Sequence, residues 1–407
     1  MSRVKRVRDA AVAVAGDKII AAGSRAEVMS SVETDSSTLV IDAADKLLTP
    51  GLVDPHTHLI FAGNRANEFI MRCQGKTYLE IARAGGGIVA SVDATRKASL
   101  TELVAIGRRR LKRVLSSGTT TCEVKTGYGL DLDTELRMLE AIMLLAEEQP
   151  VELVPTVMPA HAVPVGVDRG HYVDEVVSVM LPEIARVAGE KVQSPQLMPF
   201  NDVFCDDGYF TLEDTRQILE AGAKLGLRPK VHADEFANLG ATELAVALKA
   251  ASADHLLSVS NDEIELLAQS DTVAVLLPGT SFYLNLREHA PARKMIEHGV
   301  AVAVGSDFNP GSCHIFSLPF IWGLSCLQLK MTAEEVLSAI TVNAAWAIGL
   351  GEKLGQVRPG YQADLVVFDV KSLEEIPYNL GWNPALIIFK RGRLVCDRRG
   401  VDGWIDG

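Results

Sequence analysis

The chain has 407 residues, 48% of them hydrophobic, and a formal net charge of −12 at pH 7. This size and composition allow a large buried core, either in two or more domains or in one α/β barrel with an addition. The acidic balance argues against general attraction to nucleic acid or to an anionic membrane, because both require a basic surface. A small anionic substrate would therefore need a local cation to hold it.

The cysteines and the apolar runs indicate where the protein resides. The six cysteines are scattered without a C-x-x-C pair, which favours reduced thiols over a disulfide framework or a cysteine-based zinc site. The basic first nine residues are not followed by an apolar signal-peptide core, and no run reaches the ~18 to 20 apolar residues of a membrane span. We therefore expect a cytoplasmic protein.

Short β-rich segments lie at both ends of the chain. Residues 10–24 (AAVAVAGDKIIAAGS) indicate two strands around a Gly-Asp turn. Segments 355–372 and 384–401 are also β-rich and are divided by Pro, Gly and Lys-Arg-Gly. We expect a small β domain assembled from residues 1–48 and 355–407, with residues 49–354 inserted between its two parts.

The middle of the chain alternates between strand and helix patterns. Helices are expected at 100–118, 133–149, 211–226 and 332–349, and the Gly-rich segment 83–92 suggests a flexible loop or lid. This alternation predicts a (β/α)8 barrel, which typically takes ~250 residues, and a doubly wound sheet is the alternative. The eight candidate strands are 52–59, 118–125, 151–158, 202–207, 228–234, 252–258, 272–278 and 300–307.

Histidines gather at the expected carboxyl ends of the strands, where a barrel of this kind places its active site. Five of the nine histidines in the chain lie there, namely His56, His58, His161, His232 and His255. His56 and His58 share one face of a strand because they are two residues apart. Together with His232 and Asp307 they supply three imidazoles and a carboxylate, a set that suits zinc or iron and leaves a position for water.

Three polar residues near these candidate ligands allow more than one role. Glu235 lies three residues after His232 and could transfer protons or hold a ring N–H, or it could belong to the acidic first turn of a helix. His255 could be a ligand, an orienter of the attacking water, or a buried structural residue. For Asp307 the alternative to a ligand is an Asx turn.

Several motifs resemble the amidohydrolase superfamily along almost the whole chain. They are PGLVDPHTH (50–58), HADE (232–235), ADH (253–255), GSD (305–307) and the terminal segment 355–369. The resemblance implies a metal-dependent hydrolase on a distorted (β/α)8 barrel, with a small β-sandwich built from both termini. Members with two metals commonly bridge them through a modified lysine on the fourth strand. The absence of lysine from 202–207 therefore favours one metal.

Six further segments resemble the imidazolonepropionase family within that superfamily: HLIFAGNRANEF (58–69), EVKTGYGL (123–130), PAHAVP (159–164), HADEFANLGA (232–241), SADHL (252–256) and SDFNPGS (306–312). This resemblance implies one Zn²⁺ or Fe³⁺ per subunit, bound by His56, His58, His232 and Asp307. It also implies substrate contacts from Arg65, Tyr128, His161 and Glu235, product contacts from Asn309, Gly311 and Ser312, and a place for His255 beside the attacking water. A homodimer is expected from the resemblance only.

The chemistry of the implied substrate, 4-imidazolone-5-propanoate, agrees with these residues. Arg65 can pair with its carboxylate in a bidentate, charge-assisted manner, although a surface arginine is the alternative. Tyr128 can donate its hydroxyl or merely pack under a Gly-flanked loop. Hydroxide formed at the metal would attack the ring carbonyl, with Asp307 accepting the proton, to give N-formimidoyl-L-glutamate. A nucleobase aminohydrolase and a non-catalytic binding barrel are the alternatives.

Overall fold

The computed structural model describes residues 4–76, 80–81, 85–191 and 199–399. Its centre is an eight-stranded parallel sheet whose strands follow one another in chain order. The strands are β4 (Leu52–Asp54), β5 (Thr119–Lys125), β6 (Glu152–Ala160), β7 (Phe200–Cys205), β8 (Arg228–Ala233), β9 (Ser252–His255), β10 (Val273–Leu276) and β11 (Val302–Val304). All eight lie within or overlap the strands predicted from the sequence, and the barrel prediction is confirmed.

The segments that follow β4 and β11 close the barrel. The backbone N–H of Asp307 donates to the carbonyl of His56 at 3.0 Å, and the N–H of His58 donates to the carbonyl of Phe308 at 2.9 Å. Thr57 and Phe308 form a parallel bridge at the same place. The seam of the barrel therefore joins the H-x-H segment to the segment that carries Asp307.

Helices surround the barrel, and local sequence signals fix several of their first turns. Helix α4 (Leu100–Ser116) begins at a capping box in which the Ser99 hydroxyl accepts from the N–H of Glu102, while the Glu102 carboxylate accepts from the N–H of Ser99. The helices are α1 (Arg25–Ser31), α2 (Ala66–Cys73), α3 (Ile88–Lys97), α4 (Leu100–Ser116), α5 (Leu132–Glu148), α6 (Arg169–Glu175), α7 (Leu181–Lys191), α8 (Leu212–Lys224), α9 (Ala241–Ala247), α10 (Asn261–Ala268), α11 (Pro278–Tyr283), α12 (Ala292–Glu297), α13 (Leu318–Gln328), α14 (Ala333–Ala339), α15 (Val342–Ala347) and α16 (Glu375–Tyr378).

A smaller antiparallel sheet combines strands from both ends of the chain. Strand β3 (Leu47–Pro50) pairs with β12 (Leu365–Phe368). Strand β12 also pairs with β13 (Ala385–Lys390), which in turn pairs with β14 (Arg393–Asp397). Strands β1 (Ala10–Ala15) and β2 (Lys18–Ser24) form the expected hairpin. The domain boundaries at 48/49 and 354/355 remain a prediction, and β3 spans the first of them.

Two local predictions were wrong. The helix expected over 332–349 is divided into α14 and α15, because Thr341 leaves the helical conformation (φ −132°, ψ −85°) and its hydroxyl bonds back to the carbonyl of Leu337. Of the loop expected over 83–92, residues 83–84 lie outside the described residues and 88–92 are helical. Ser91 and Val92 are buried on the inner face of α3.

None of the helices in the described ranges combines the length and apolarity that a bilayer span demands. The cytoplasmic location expected from the sequence remains a prediction.

Candidate active site

Three imidazoles converge at the carboxyl end of the barrel. His56 and His58 follow β4, His232 lies on β8, and all three side chains are almost fully buried. The Nε2 atoms of His58 and His232 are 3.4 Å apart. Asp307 Oδ1 lies 3.5 Å from Nε2 of His56 and 3.6 Å from Nε2 of His58. Four ligating atoms therefore face one another across a small gap.

Three of the six distances among these four atoms fit a metal ion. Ligands at about 2.0–2.1 Å from a tetrahedral ion lie roughly 3.3–3.4 Å from one another, close to the 3.4–3.6 Å observed. Nε2 of His56 is buried and has no hydrogen-bond partner, which is costly unless a ligand is bound. The three histidines also form a group whose ligating atoms all lie within 4.8 Å of one another. The cluster has the donors and spacing of a divalent metal site.

Three residues with a strained backbone lie beside this cluster. Asp307 has φ 49°, and the consecutive residues His255 and Leu256 have φ 80° and 62°. A non-glycine residue in this left-handed region costs on the order of 1–3 kcal/mol and is held there by its surroundings. Asp307 is fixed by the Thr280 hydroxyl, which donates to its Oδ2 at 2.5 Å. Burial raises the pKa of the Asp307 carboxyl to about 6.

Glu235 and His255 face each other next to the imidazole cluster. Nδ1 of His255 is 3.6 Å from Oε1 of Glu235, and both side chains are buried. Burial and then the neighbouring Asp307 raise the pKa of the Glu235 carboxyl well above its usual range. Asp206, at the end of β7, fixes the segment that follows β8. Its Oδ2 accepts the N–H groups of Glu235 at 3.0 Å and Phe236 at 2.8 Å.

The rings of Tyr128 and His161 form an aromatic wall beside the cluster. The rings of His58 and His161 stack with centroids 4.9 Å apart, and Tyr128 meets His161 edge-on at 5.2 Å. Nδ1 of His161 lies 3.0 Å from the carbonyl of Gly127. Gly127 has φ +99°, and a Cβ there would lie 2.9 Å from the carbonyl oxygen of Met158. Burial lowers the pKa of His161 to about 3, so its ring is neutral.

The loop after Asp307 is organised by Asn309 and lies against Arg65. Asn309 Oδ1 accepts the N–H groups of Gly311 at 2.8 Å and Ser312 at 2.7 Å, and its Nδ2 donates to the Ser312 hydroxyl. The Arg65 guanidinium packs directly on Gly311, where an added Cβ would lie only 2.0 Å from Nη1. Arg65 also forms an ion pair with Glu68, a partner that the sequence analysis did not assign.

Comparison with known proteins identifies the family. The profile of the amidohydrolase family matches residues 47–395. An imidazolonepropionase of Symbiobacterium thermophilum is 47% identical over 407 aligned positions, covering 98% of this chain and 94% of that protein. One from Alkaliphilus oremlandii is 43% identical over 403, covering 98% and 93%. The chain belongs to the imidazolonepropionase family of amidohydrolases. It is a hydrolase.

Solved structures support the fold of this imidazolonepropionase-family chain. A zinc complex of an atrazine chlorohydrolase mutant from Arthrobacter aurescens superposes with a TM-score of 0.69 at 17% identity, covering 95% of this chain and 90% of that one. An adenosine deaminase from Xanthomonas campestris with bound zinc gives 0.65 at 17%, covering 96% and 89%. At such low identity these likenesses establish the barrel architecture only.

Several charged residues beneath the site have no role predicted from the sequence. They are Glu123 and Lys125 on β5, Asp202 on β7, Lys230 on β8 and Asp254 on β9, and all are fully buried. A signal was present, since Lys230 and His232 are two residues apart on one strand and so point to the same side. Glu123 and Lys125 have the same spacing.

Proposed function

We propose that the protein hydrolyses 4-imidazolone-5-propanoate to N-formimidoyl-L-glutamate, using one zinc or iron ion held by His56, His58, His232 and Asp307. The observation that carries this proposal is the loop after Asp307. That loop begins at the imidazole cluster and packs Gly311 on the guanidinium of Arg65. This short segment thus connects Asp307, a candidate metal ligand, to Gly311, which contacts the guanidinium that can bind a carboxylate. The names of the close relatives support the same substrate.

Arg65 is the residue that we assign to the propionate tail. Its guanidinium is mostly buried, with 15% of the side chain exposed, and a planar guanidinium binds a carboxylate through two parallel hydrogen bonds. The N–H groups of the 309–312 loop are in part occupied by Asn309, so this loop is held rigidly beside the guanidinium. Asn309, Gly311 and Ser312 would therefore contact the carboxylate end of the open-chain product.

The aromatic wall and Glu235 would hold the planar ring. Tyr128 and the neutral imidazole of His161 form one side. Glu235, whose carboxyl pKa is raised by burial, lies beside His255, where it can bond a ring N–H or pass on a proton. These contacts fix the cyclic amide with its carbonyl towards the cluster.

A divalent ion at the cluster would lower the pKa of water and polarise the amide carbonyl. Asp307 accepts a proton from the attacking water, and His255 holds that water in place. The water oxygen adds to the ring carbonyl carbon, and the carbon–nitrogen bond of the cyclic amide breaks. The oxygen becomes part of the new carboxyl group, which releases the second water proton to solvent as it ionises. Asp307 returns the first proton to the leaving nitrogen, which becomes the formimidoyl NH.

The two alternatives fit the site less well. A neutral nucleobase offers no carboxylate to Arg65, so in an aminohydrolase this guanidinium would bind no part of the substrate and would pair only with Glu68. A binding barrel without catalysis has no need for the strained Asp307 and His255 beside four converging ligands. The ring-opening reaction uses all of these features.

The decisive experiment follows the reaction directly. Metal-replete protein is incubated with freshly prepared 4-imidazolone-5-propanoate, the loss of ultraviolet absorbance is followed, and the product is identified by mass. Guanine and cytosine are run in parallel with an ammonia readout. We expect formimidoylglutamate from the wild type, little from Arg65→Ala or Asp307→Asn, and wild-type rates from Arg186→Ala, an exposed arginine on α7. Ammonia from a base without ring opening would overturn the assignment.

A further inference from the structure

A second layer of charges lies directly beneath the histidine cluster. Lys125 and Lys230 project into the barrel interior among Glu123, Asp202 and Asp254, and each of the five side chains has 0% exposure. Charged residues are almost never this buried unless they are paired. Two cations and three carboxylates in one buried layer therefore form a single network.

The two ammonium groups hold the carboxylates. Nζ of Lys125 lies 2.7 Å from Asp202 Oδ2 and 2.8 Å from Glu123 Oε2. Nζ of Lys230 lies 2.8 Å from Glu123 Oε1. Both ammonium groups lie 3.7 Å from Asp254 Oδ2. Glu123 bridges the two lysines, and each aspartate has at least one ammonium within ion-pair distance.

Two of these carboxylates, those of Asp254 and Asp202, contact the Nδ1 atoms of His56 and His232. Asp254 Oδ2 lies 2.6 Å from Nδ1 of His56. Asp202 Oδ2 lies 3.1 Å from Nδ1 of His232, and its Oδ1 accepts the backbone N–H of that histidine at 3.2 Å. The contact from Asp202 to the ring is within ion-pair distance without the alignment of a hydrogen bond. A carboxylate at Nδ1 places the proton there and leaves the lone pair of Nε2 facing the metal site.

We propose that Lys125 and Lys230 are positioning residues of the metal centre, acting through Asp202 and Asp254 on the imidazoles of His232 and His56. The lysines hold both carboxylates in place, and the carboxylates fix the tautomer and direction of the rings. This inference rests on the metal site of the proposed function, but it is independent of which substrate is hydrolysed.

The network also bears on the number of metal ions. His56, Glu123 and Asp254 form a second group whose potential ligand atoms lie within 4.8 Å of one another. The ammonium groups of Lys125 and Lys230 already neutralise this group from within the chain. Strand β7 carries no lysine that could bridge two metals. The lysine pair thus takes the place of a second cation beneath the cluster.

The test measures zinc binding rather than turnover. Lys125→Met and Lys230→Met keep an unbranched side chain that is one atom shorter and remove its charge. Lys390→Met is the matched control, because Lys390 is also buried, lies 2.7 and 2.8 Å from Asp364 and Glu152, and joins the small sheet to β6 away from the histidines. Zinc dissociation constants are measured by competition with a chelator, and visible spectra are recorded after substitution with Co²⁺.

We expect Lys125→Met and Lys230→Met to weaken zinc binding by about 10- to 100-fold and to shift the cobalt bands, while Lys390→Met keeps wild-type values for both. Zinc affinities and cobalt spectra of the two network variants equal to those of Lys390→Met would overturn the proposal. Should the network variants fail to fold, Asp254→Asn takes their place. It preserves shape, and unchanged zinc affinity in it would overturn the proposal as well. Failure of the substrate assay would leave these results unaffected.

Discussion

Arg65 and Glu68 form a close ion pair at the start of α2. Nε and Nη2 of Arg65 lie 2.8 and 2.7 Å from the same carboxylate oxygen, Oε2 of Glu68. The other oxygen, Oε1, accepts the N–H of Gly87 at 3.0 Å, just before α3 begins. Glu68 thereby orients the guanidinium and ties it to the segment that enters α3, while Nη1 remains directed at Gly311.

Replacing Glu68 by Gln should weaken substrate binding. Without the carboxylate, the guanidinium loses a charge-assisted contact that fixes its orientation, and such contacts contribute about 1.5–3 kcal/mol. We expect KM for 4-imidazolone-5-propanoate to rise about tenfold with little change in kcat, measured in the absorbance assay. Glu183→Gln, which breaks an exposed pair of the same i,i+3 spacing with Arg186, serves as the control. A fall in KM would show that Glu68 chiefly neutralises Arg65 instead of orienting it.

Glu235→Gln separates chemistry from metal binding. Because Glu235 lies beside His255 and outside the four converging ligands, this variant should retain a full complement of zinc. Loss of a group that transfers protons typically costs about 10²- to 10⁴-fold in rate, so we expect kcat to fall within that range. Zinc content is read by atomic absorption and kcat by steady-state kinetics. Glu243→Gln, an exposed acid in the first turn of α9, should behave as wild type, and equal activity in both variants would contradict the role of Glu235.

Metal removal should lower the melting temperature. Without a metal, the inward Nε2 of His56 stays buried without a partner, whereas an ion that binds only the folded state adds about 2.7 kcal/mol of stability at 100 times its Kd. For a chain of this size that corresponds to a rise of a few degrees. Scanning calorimetry with and without added Zn²⁺ measures this rise, and Asp307→Asn should show a smaller one. Identical melting with zinc and with chelator would exclude a site in this cluster.

Acid should selectively weaken the junction between barrel and small sheet. Burial alone would raise the pKa of Glu152, but Lys390 and its hydrogen bonds lower it from 4.5 to about 2. A carboxyl whose pKa is depressed on folding contributes stability above its unfolded value, and that contribution is lost as pH falls from 4.5 towards 2. At about 1.4 kcal/mol per pH unit, the full contribution is roughly 3 kcal/mol.

Urea denaturation of the wild type and of Glu152→Gln tests this window. We expect the wild type to be more stable at pH 7 and its advantage to shrink as the pH is lowered from 4.5 to 3. A difference that stays constant over this range would mean that Glu152 is not the titrating group.

Local sequence patterns were sufficient to predict the barrel and to identify the candidate metal ligands. Strand and helix periodicities are local, so all eight strands of the barrel were found in order. The H-x-H spacing of His56 and His58 is also local, and the end of a parallel strand is a fixed place in a barrel. The same reasoning gave His232 and Asp307 as candidates, whose roles as ligands remain proposals.

The pairing of the charged side chains could be seen only in the folded structure. Lys125 meets Asp202, 77 positions away in the chain, and Asp254 meets His56, 198 positions away. These pairings depend on how the strands of the barrel wind, and a buried charge is stable only where an opposite charge lies within a few ångströms. Thr341, too, divides a helix whose apolar spacing is continuous. Local pattern fixes which elements form, while the enclosed interior of the barrel fixes which charges meet.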